Sequence, residues 1–224
     1  MVLVHEFGTS ADQKDVISRS ALKYATVKSI PLNRRFSTRQ RETSARSAFD
    51  LRPFAHKGQF SELSATSLLP VKRADKLYIF AHADPQEVGF AHARLLASLL
   101  FANGLREAGL ITFKACEVGL GNLLESFVDA LVAKGVVLGW VKAYNGSAST
   151  ASYVDTTTGA LAQVREEITV ERVSRRTGRV RDYTLRGDAR VRIVRSPNNP
   201  FTYSFGRYTV TQDSEDFLAL IDID

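Results

Sequence analysis

Three apolar runs separated by two stretches of helical spacing set the frame of this chain. Leu77-Tyr-Ile-Phe-Ala81, Leu110-Ile-Thr-Phe-Lys-Ala-Cys116 and Val136-Val-Leu-Gly-Trp-Val141 have the length and β-branched or aromatic content of buried strands. Between the first two, Val88, His92, Leu95, Leu96, Leu99 and Leu100 recur at helical spacing, with Asp84 as a cap, Pro85 at the first helical position and Gly104 near the stop. This predicts a helix over 85–105. Between the second and third, Leu123, Leu124, Phe127, Val128, Leu131 and Val132 predict another helix, capped by Asn122 and ended by Gly135, with Gly119 and Gly121 allowing a tight turn before it. Strand, helix, strand, helix, strand is the pattern of an α/β sheet, mostly parallel and covered by helices.

Outside this frame the pattern changes. Lys23 to Ile30 alternates and predicts a strand ended by Pro31, while residues 1–20 give no clear period. Residues 33–52 are rich in Arg, Ser and Thr and read as a loop or weakly ordered arm. Small and polar residues from Ala143 to Gly159 predict a long loop. Beyond Gln163 the period becomes two, with turn candidates at Thr177-Gly178 and Gly187-Asp188. Further strands are predicted over 180–185, 190–195 and 201–211, and a short helix over 213–221. The expected organisation is one compact domain overall: an N-terminal strand and arm (1–60), an α/β core (61–159), and an arginine-rich antiparallel flap with a C-terminal helix (160–224).

Charge singles out that last segment. Residues 165–207 hold eleven arginines, no lysine and five acids, a surplus equal to the +6 of the whole 224-residue chain. Arginine is a planar, permanently charged fork suited to phosphate and carboxylate. The candidate anion ligands are Arg165, Arg172, Arg175, Arg176, Arg179, Arg181, Arg186, Arg190, Arg192, Arg195 and Arg207, with Lys142 at the edge of the core. The alternative is a solvated face neutralised by Glu166, Glu167, Glu171, Asp182 and Asp188.

The single cysteine, Cys116, excludes an intramolecular disulfide and points to a reducing compartment, and four scattered histidines give no zinc spacing, so no metal is expected. No stretch is apolar enough to span a membrane and no signal-peptide pattern opens the chain, so a soluble protein is expected. Cys116 and His82 each close a predicted strand, and in open α/β sheets reacting groups gather at the carboxyl ends of parallel strands. If those strands are neighbours, a thiol and an imidazole share one edge, and the imidazole supplies the activation that a thiol of ordinary pKa lacks. His92 sits at helical spacing and reads as packing or partial exposure in preference to catalysis. Trp140 reads as core in preference to a groove wall.

Ile79-Phe-Ala-His82 and Phe113-Lys-Ala-Cys116, with one helix between and another after, resemble the caspase-fold cysteine proteases. Within that group the likeness is greatest to the inositol-hexakisphosphate-activated domains of bacterial toxins and to type III secreted effectors. The motif covers 72–145, and 160–211 match only as layout. The resemblance implies a His82/Cys116 dyad, backbone N–H groups of Ala83 and Cys116 for the oxyanion, and cleavage after leucine, with Leu68 or Leu69 as a self-processing point. It further implies activation by inositol hexakisphosphate at the flap and a secreted effector or toxin acting on protein substrates in a host cytosol. Ala83 stands where such proteases usually have glycine, and no third residue orienting the imidazole can be matched. The competing reading is an arginine-rich nucleic-acid or polyanion binding module, with Tyr183, Phe201, Tyr203, Phe205 and Tyr208 available for stacking and Cys116 incidental.

Overall fold

The computed structural model describes residues 2–5, 11–38, 60–89, 91–154, 157, 161–173 and 179–201. The chain opens with β1 (Val2–His5) and α1 (Ala11–Val27), followed after a short turn by β2 (Arg35–Ser37) and then β3 (Ser61–Glu62). The central unit comprises β4 (Lys76–Phe80), a small hairpin of β5 (Glu87–Val88) and β6 (Ala91–His92), α2 (Ala93–Ala102), β7 (Glu107–Lys114), α3 (Leu123–Ala133) and β8 (Val137–Tyr144). The last described elements are β9 (Ser147–Val154), β10 (Leu161–Val173), β11 (Val180–Thr184) and β12 (Val191–Arg195).

Among the described residues the main sheet has seven strands in the order β12-β8-β7-β4-β1-β2-β3, parallel except for β12. Every residue of β4 is buried, as expected for a parallel strand with both faces covered. Alternation sends Leu77, Ile79, Ile111 and Phe113 to one face, into a core shared with Leu96 and Leu100 of α2 and Leu124, Phe127 and Leu131 of α3. Phe113 meets Phe127 edge-on with ring centroids 5.2 Å apart. Tyr78 and Phe80 go to the opposite face, against Ile17, Ala21, Tyr24 and Ala25 of α1. The α/β class with a mostly parallel, helix-covered sheet therefore stands. β9, β10 and β11 form a separate three-stranded antiparallel sheet. No described helix is long and apolar enough to cross a membrane.

Several expectations are corrected. Lys23 to Ile30 is not a strand: residues up to Val27 end α1, whose buried stripe Ile17, Ala21, Tyr24, Ala25 is helical, and Ser29, at a φ of 51°, turns the chain. The segment without a clear period supplies β1, paired in parallel with both β4 and β2. Part of the expected arm, Arg35–Ser37, is β2. The helix expected from Pro85 begins at Ala93, capped by the His92 ring, which accepts the Leu95 N–H at 3.4 Å. Asp84 does accept two backbone N–H groups, from Gln86 at 2.7 Å and Glu87 at 2.8 Å, but in a turn leading to β5. An aspartate opening a turn uses the same bonds as one capping a helix, so the sequence signal is shared.

The loop expected over 143–159 is largely β9, reached by a corner at Asn145-Gly146. The strand expected over 190–195 is β12, which leaves the flap and pairs with β8 at the edge of the main sheet, where Val194 packs on the core. Trp140 is core, stacked on Phe201 at 5.2 Å. Of the two candidate self-processing positions, Leu68 is buried with its N–H on the Asn103 carbonyl, and Leu69 is exposed. The turn at Thr177-Gly178, the rest of the strand expected over 201–211, the helix over 213–221 and Arg175, Arg176 and Arg207 lie outside the described residues.

Candidate functional site

β4 and β7 are neighbours in parallel, with Phe80 opposite Lys114. His82 and Cys116 each follow two residues later, so the register delivers them to equivalent places at the carboxyl edge of adjacent strands. Two-residue alternation keeps them on the face of Tyr78 and Phe80, toward α1. Both line one cleft of about 430 Å³, closed on one side by Ile17, Ser20 and Lys23 of α1 and on the other by Ala148, Ser149 and Glu166 of the second sheet. His82 and Cys116 are each partly exposed.

The Cys116 thiol lies against β9. Its Sγ accepts the Ala148 N–H at 3.3 Å and faces the Ala148 carbonyl at 3.9 Å. Ala148 is in register with Ile168 of β10, whose carbonyl accepts the Leu185 N–H on its far side. The two therefore form a non-hydrogen-bonded pair, and Ala148 turns its polar backbone groups outward to the sulfur. Glu117, directly after the cysteine, holds a φ of 60°, which few non-glycine residues adopt; its N–H binds the Gly146 carbonyl and its carboxylate the Ser147 hydroxyl.

The loop after Cys116 and the loop after His82 are packed together. A Cβ on Gly121 would stand 2.5 Å from the Pro85 carbonyl oxygen, and one on Gly119 would stand 2.3 Å from Asn145 Oδ1. Glycine is required at both positions for close approach. Ala83 bridges to Val88, and the bonds flanking that bridge run from the Asp84 N–H to the Glu87 carbonyl and from the Gly89 N–H to the His82 carbonyl. In that pattern the Ala83 N–H is turned away from β5.

Sequence reasoning missed the floor of the cleft. Lys114 Nζ binds Glu166 Oε2 at 2.7 Å and Tyr144 OH at 2.9 Å, and Tyr144 OH donates to the same carboxylate oxygen. The ammonium also lies 4.8 Å from the Tyr24 ring centroid. Side-chain exposures of 11% for Lys114 and 17% for Glu166 make this a largely buried pair joining the second sheet to the strand that ends on Cys116. A lysine inside the apolar run 110–116 was the available signal, since a buried charge needs a partner.

Among the described side chains, the predicted anion ligands disperse. Arg190 donates to the Glu166 carbonyl at 2.9 Å and Arg195 to that of Phe201 at 2.9 Å. Arg192 donates to the Gly119 and Gly121 carbonyls and to Glu125. Arg179 and Arg186 are exposed, and Lys142 is half-buried on β8 opposite Ile193. On the flap the register pairs like with like, Arg172 opposite Arg181 and Glu171 opposite Asp182, while Arg165 stands opposite Ala151. Among the described residues no group of three or more His, Cys, Asp or Glu is placed to hold a metal. No protein-family model, curated protein or solved structure matches the chain.

Proposed function

We propose that the protein is a cysteine endopeptidase of the caspase-like kind, in which Cys116 attacks a peptide carbonyl. His82 takes the thiol proton and returns it to the leaving amine, and the Ala83 and Cys116 N–H groups receive the oxyanion. The observation that carries this reading is the shared cleft: the one thiol of the chain and His82 reach it at equivalent register positions. The orientation of Ala83 supports its part as a donor. The outward edge of β9 at Ala148 supports binding of an extended peptide as an added strand, with its carbonyl brought to the sulfur. Ile17, Phe80 and Ala81 give the cleft an apolar wall suited to leucine before the cleaved bond.

Activation by inositol hexakisphosphate belongs to the same reading. Like charges directly opposite in a sheet destabilise it, so the Arg172 and Arg181 positions, with exposed Arg179 nearby, fit a compact polyanion that relieves the repulsion. Bound there, the polyanion supplies charge neutralisation alone; bond cleavage falls to Cys116 and His82. Action as a secreted bacterial effector in a host cytosol accords with a lone thiol that needs reducing surroundings. Exposed Arg179, Arg186 and Tyr183 favour the second reading, a polyanion or nucleic-acid binding module.

Leucine-containing peptides incubated with inositol hexakisphosphate separate the two. The peptidase cleaves them and Cys116→Ala does not, whereas the binding module cleaves nothing and is stabilised more by oligonucleotides. A ligand at a hundred times its Kd adds about 2.7 kcal/mol to native stability, which moves Tm by several degrees.

A further inference from the structure

The loop that carries the chain from Cys116 into α3 is held from two sides. On one side its N–H groups are fixed by the β8–β9 corner, Glu117 to Gly146 O at 2.9 Å and Gly119 to Tyr144 O at 2.8 Å. On the other, its carbonyls are gripped by a single side chain, Arg192. Nη1 reaches the Gly119 carbonyl at 3.3 Å and that of Gly121, while Nη2 reaches Glu125 Oε1 in the first turn of α3. The second carboxylate oxygen, Glu125 Oε2, is shut off from solvent with no hydrogen-bond partner among the described residues. Arg192 and Glu125 form a partly exposed ion pair, with side-chain exposures of 37% and 41%.

We infer that Arg192 is a positioning residue for the Cys116 loop, an assignment whose consequence for rate rests on the peptidase reading. Its planar fork binds the carbonyl pair through one nitrogen and the carboxylate through the other, which a lysine ammonium cannot reproduce. Because Gly121 is pressed on the Pro85 carbonyl, holding Gly121 also holds the loop that follows His82. The turn just before β12 reaches the flap: Arg190, two residues earlier, grips the Glu166 carbonyl, and its own carbonyl accepts the Asn145 N–H at 2.9 Å. Arg192 sets where the backbone donors of the two loops stand, leaves the sulfur in place and never touches the substrate.

Arg192→Lys tests this. Amide exchange over residues 117–125 rises about tenfold or more while exchange in β4 and β7 stays at wild-type rates. For peptide cleavage kcat falls about a hundredfold at little-changed KM, the scale of a displaced reacting group. Alkylation of Cys116 by iodoacetamide, in which sulfur displaces iodide from carbon and no oxyanion forms, keeps its wild-type rate. A merely structural arginine would act through unfolding, raising exchange in β4 and β7 as well as over 117–125 and speeding alkylation while kcat falls. Should Arg192→Lys not fold, Arg192→Met combined with Glu125→Gln removes both charges and takes its place. Unchanged exchange over 117–125 overturns the brace, and raised exchange with wild-type kcat overturns the positioning role. A wild type that cleaves no peptide defeats the peptidase reading instead, and the exchange measurement still decides the brace.

Discussion

His82 and Cys116 stand two residues beyond a directly paired couple, Phe80 and Lys114, on adjacent parallel strands. A parallel register carries both forward by the same rise, so neither needs an unusual loop to reach the other's edge. The crossover through α2, required to keep β4 and β7 parallel, separates the two residues in sequence while joining them in space.

The Lys114–Glu166 pair ties the second sheet to the strand of the nucleophile. Glu166→Ala strands the lysine ammonium in a largely buried place, and breaking such a pair costs about 3 kcal/mol. Urea denaturation reads that loss. Lys114→Met combined with Glu166→Gln recovers most of it, because neither variant side chain is charged.

Gly121→Ala forces its Cβ onto the Pro85 carbonyl. The loops after Cys116 and His82 must then part, at about 1 to 3 kcal/mol for an overpacked contact. Peptide cleavage is expected to fall further than the stability change accounts for. Gly135→Ala serves as the control: nothing lies within 4 Å of a Cβ there, its φ of 79° adds local strain, and the site is remote from the cleft.

Asp75 gives the fold an acid-sensitive tie. Burial raises its carboxyl pKa, but the Lys72 N–H at 2.8 Å and the Arg34 guanidinium at 3.0 Å outweigh it and hold the value below the ordinary range. A depressed folded-state pKa contributes stability that is present above the unfolded value, about 3.9, and lost as pH falls through the folded one. Asp75→Asn is therefore expected to cost about 1 to 2 kcal/mol near pH 7 and to flatten the stability curve below pH 4. Denaturation midpoints across pH 2 to 7 check both.

Legibility in the sequence followed burial. β4, β7 and β8 announce themselves because both faces are covered and their apolar runs are nearly unbroken. β1 is as central, yet four residues are too few to show a period. The end of α1 reads as a strand because Lys23 to Ile30 alternates, and only the wider spacing Ile17, Ala21, Tyr24, Ala25 shows the helix. β9 hides behind Ser, Ala and Thr because its place comes from the ladder with β10 and not from burial. β12 carries the alternation of a flap strand but joins the main sheet, a choice made by the Gly187–Arg190 turn and the Asn145 contact. Cys116 and His82 could be found because each ends a legible strand. Lys114, Tyr144, Glu166 and Arg192 could not be joined without the tertiary contacts that connect 114 to 166 and 119 to 192.

The most direct measurement is the rate at which a leucine-directed, thiol-reactive electrophile labels Cys116 in the wild type and in His82→Ala. The account predicts fast labelling confined to Cys116 and a loss of about a hundredfold or more without the imidazole, the scale of general acid–base help. Equal labelling of the two proteins would contradict a thiol and an imidazole working as one site.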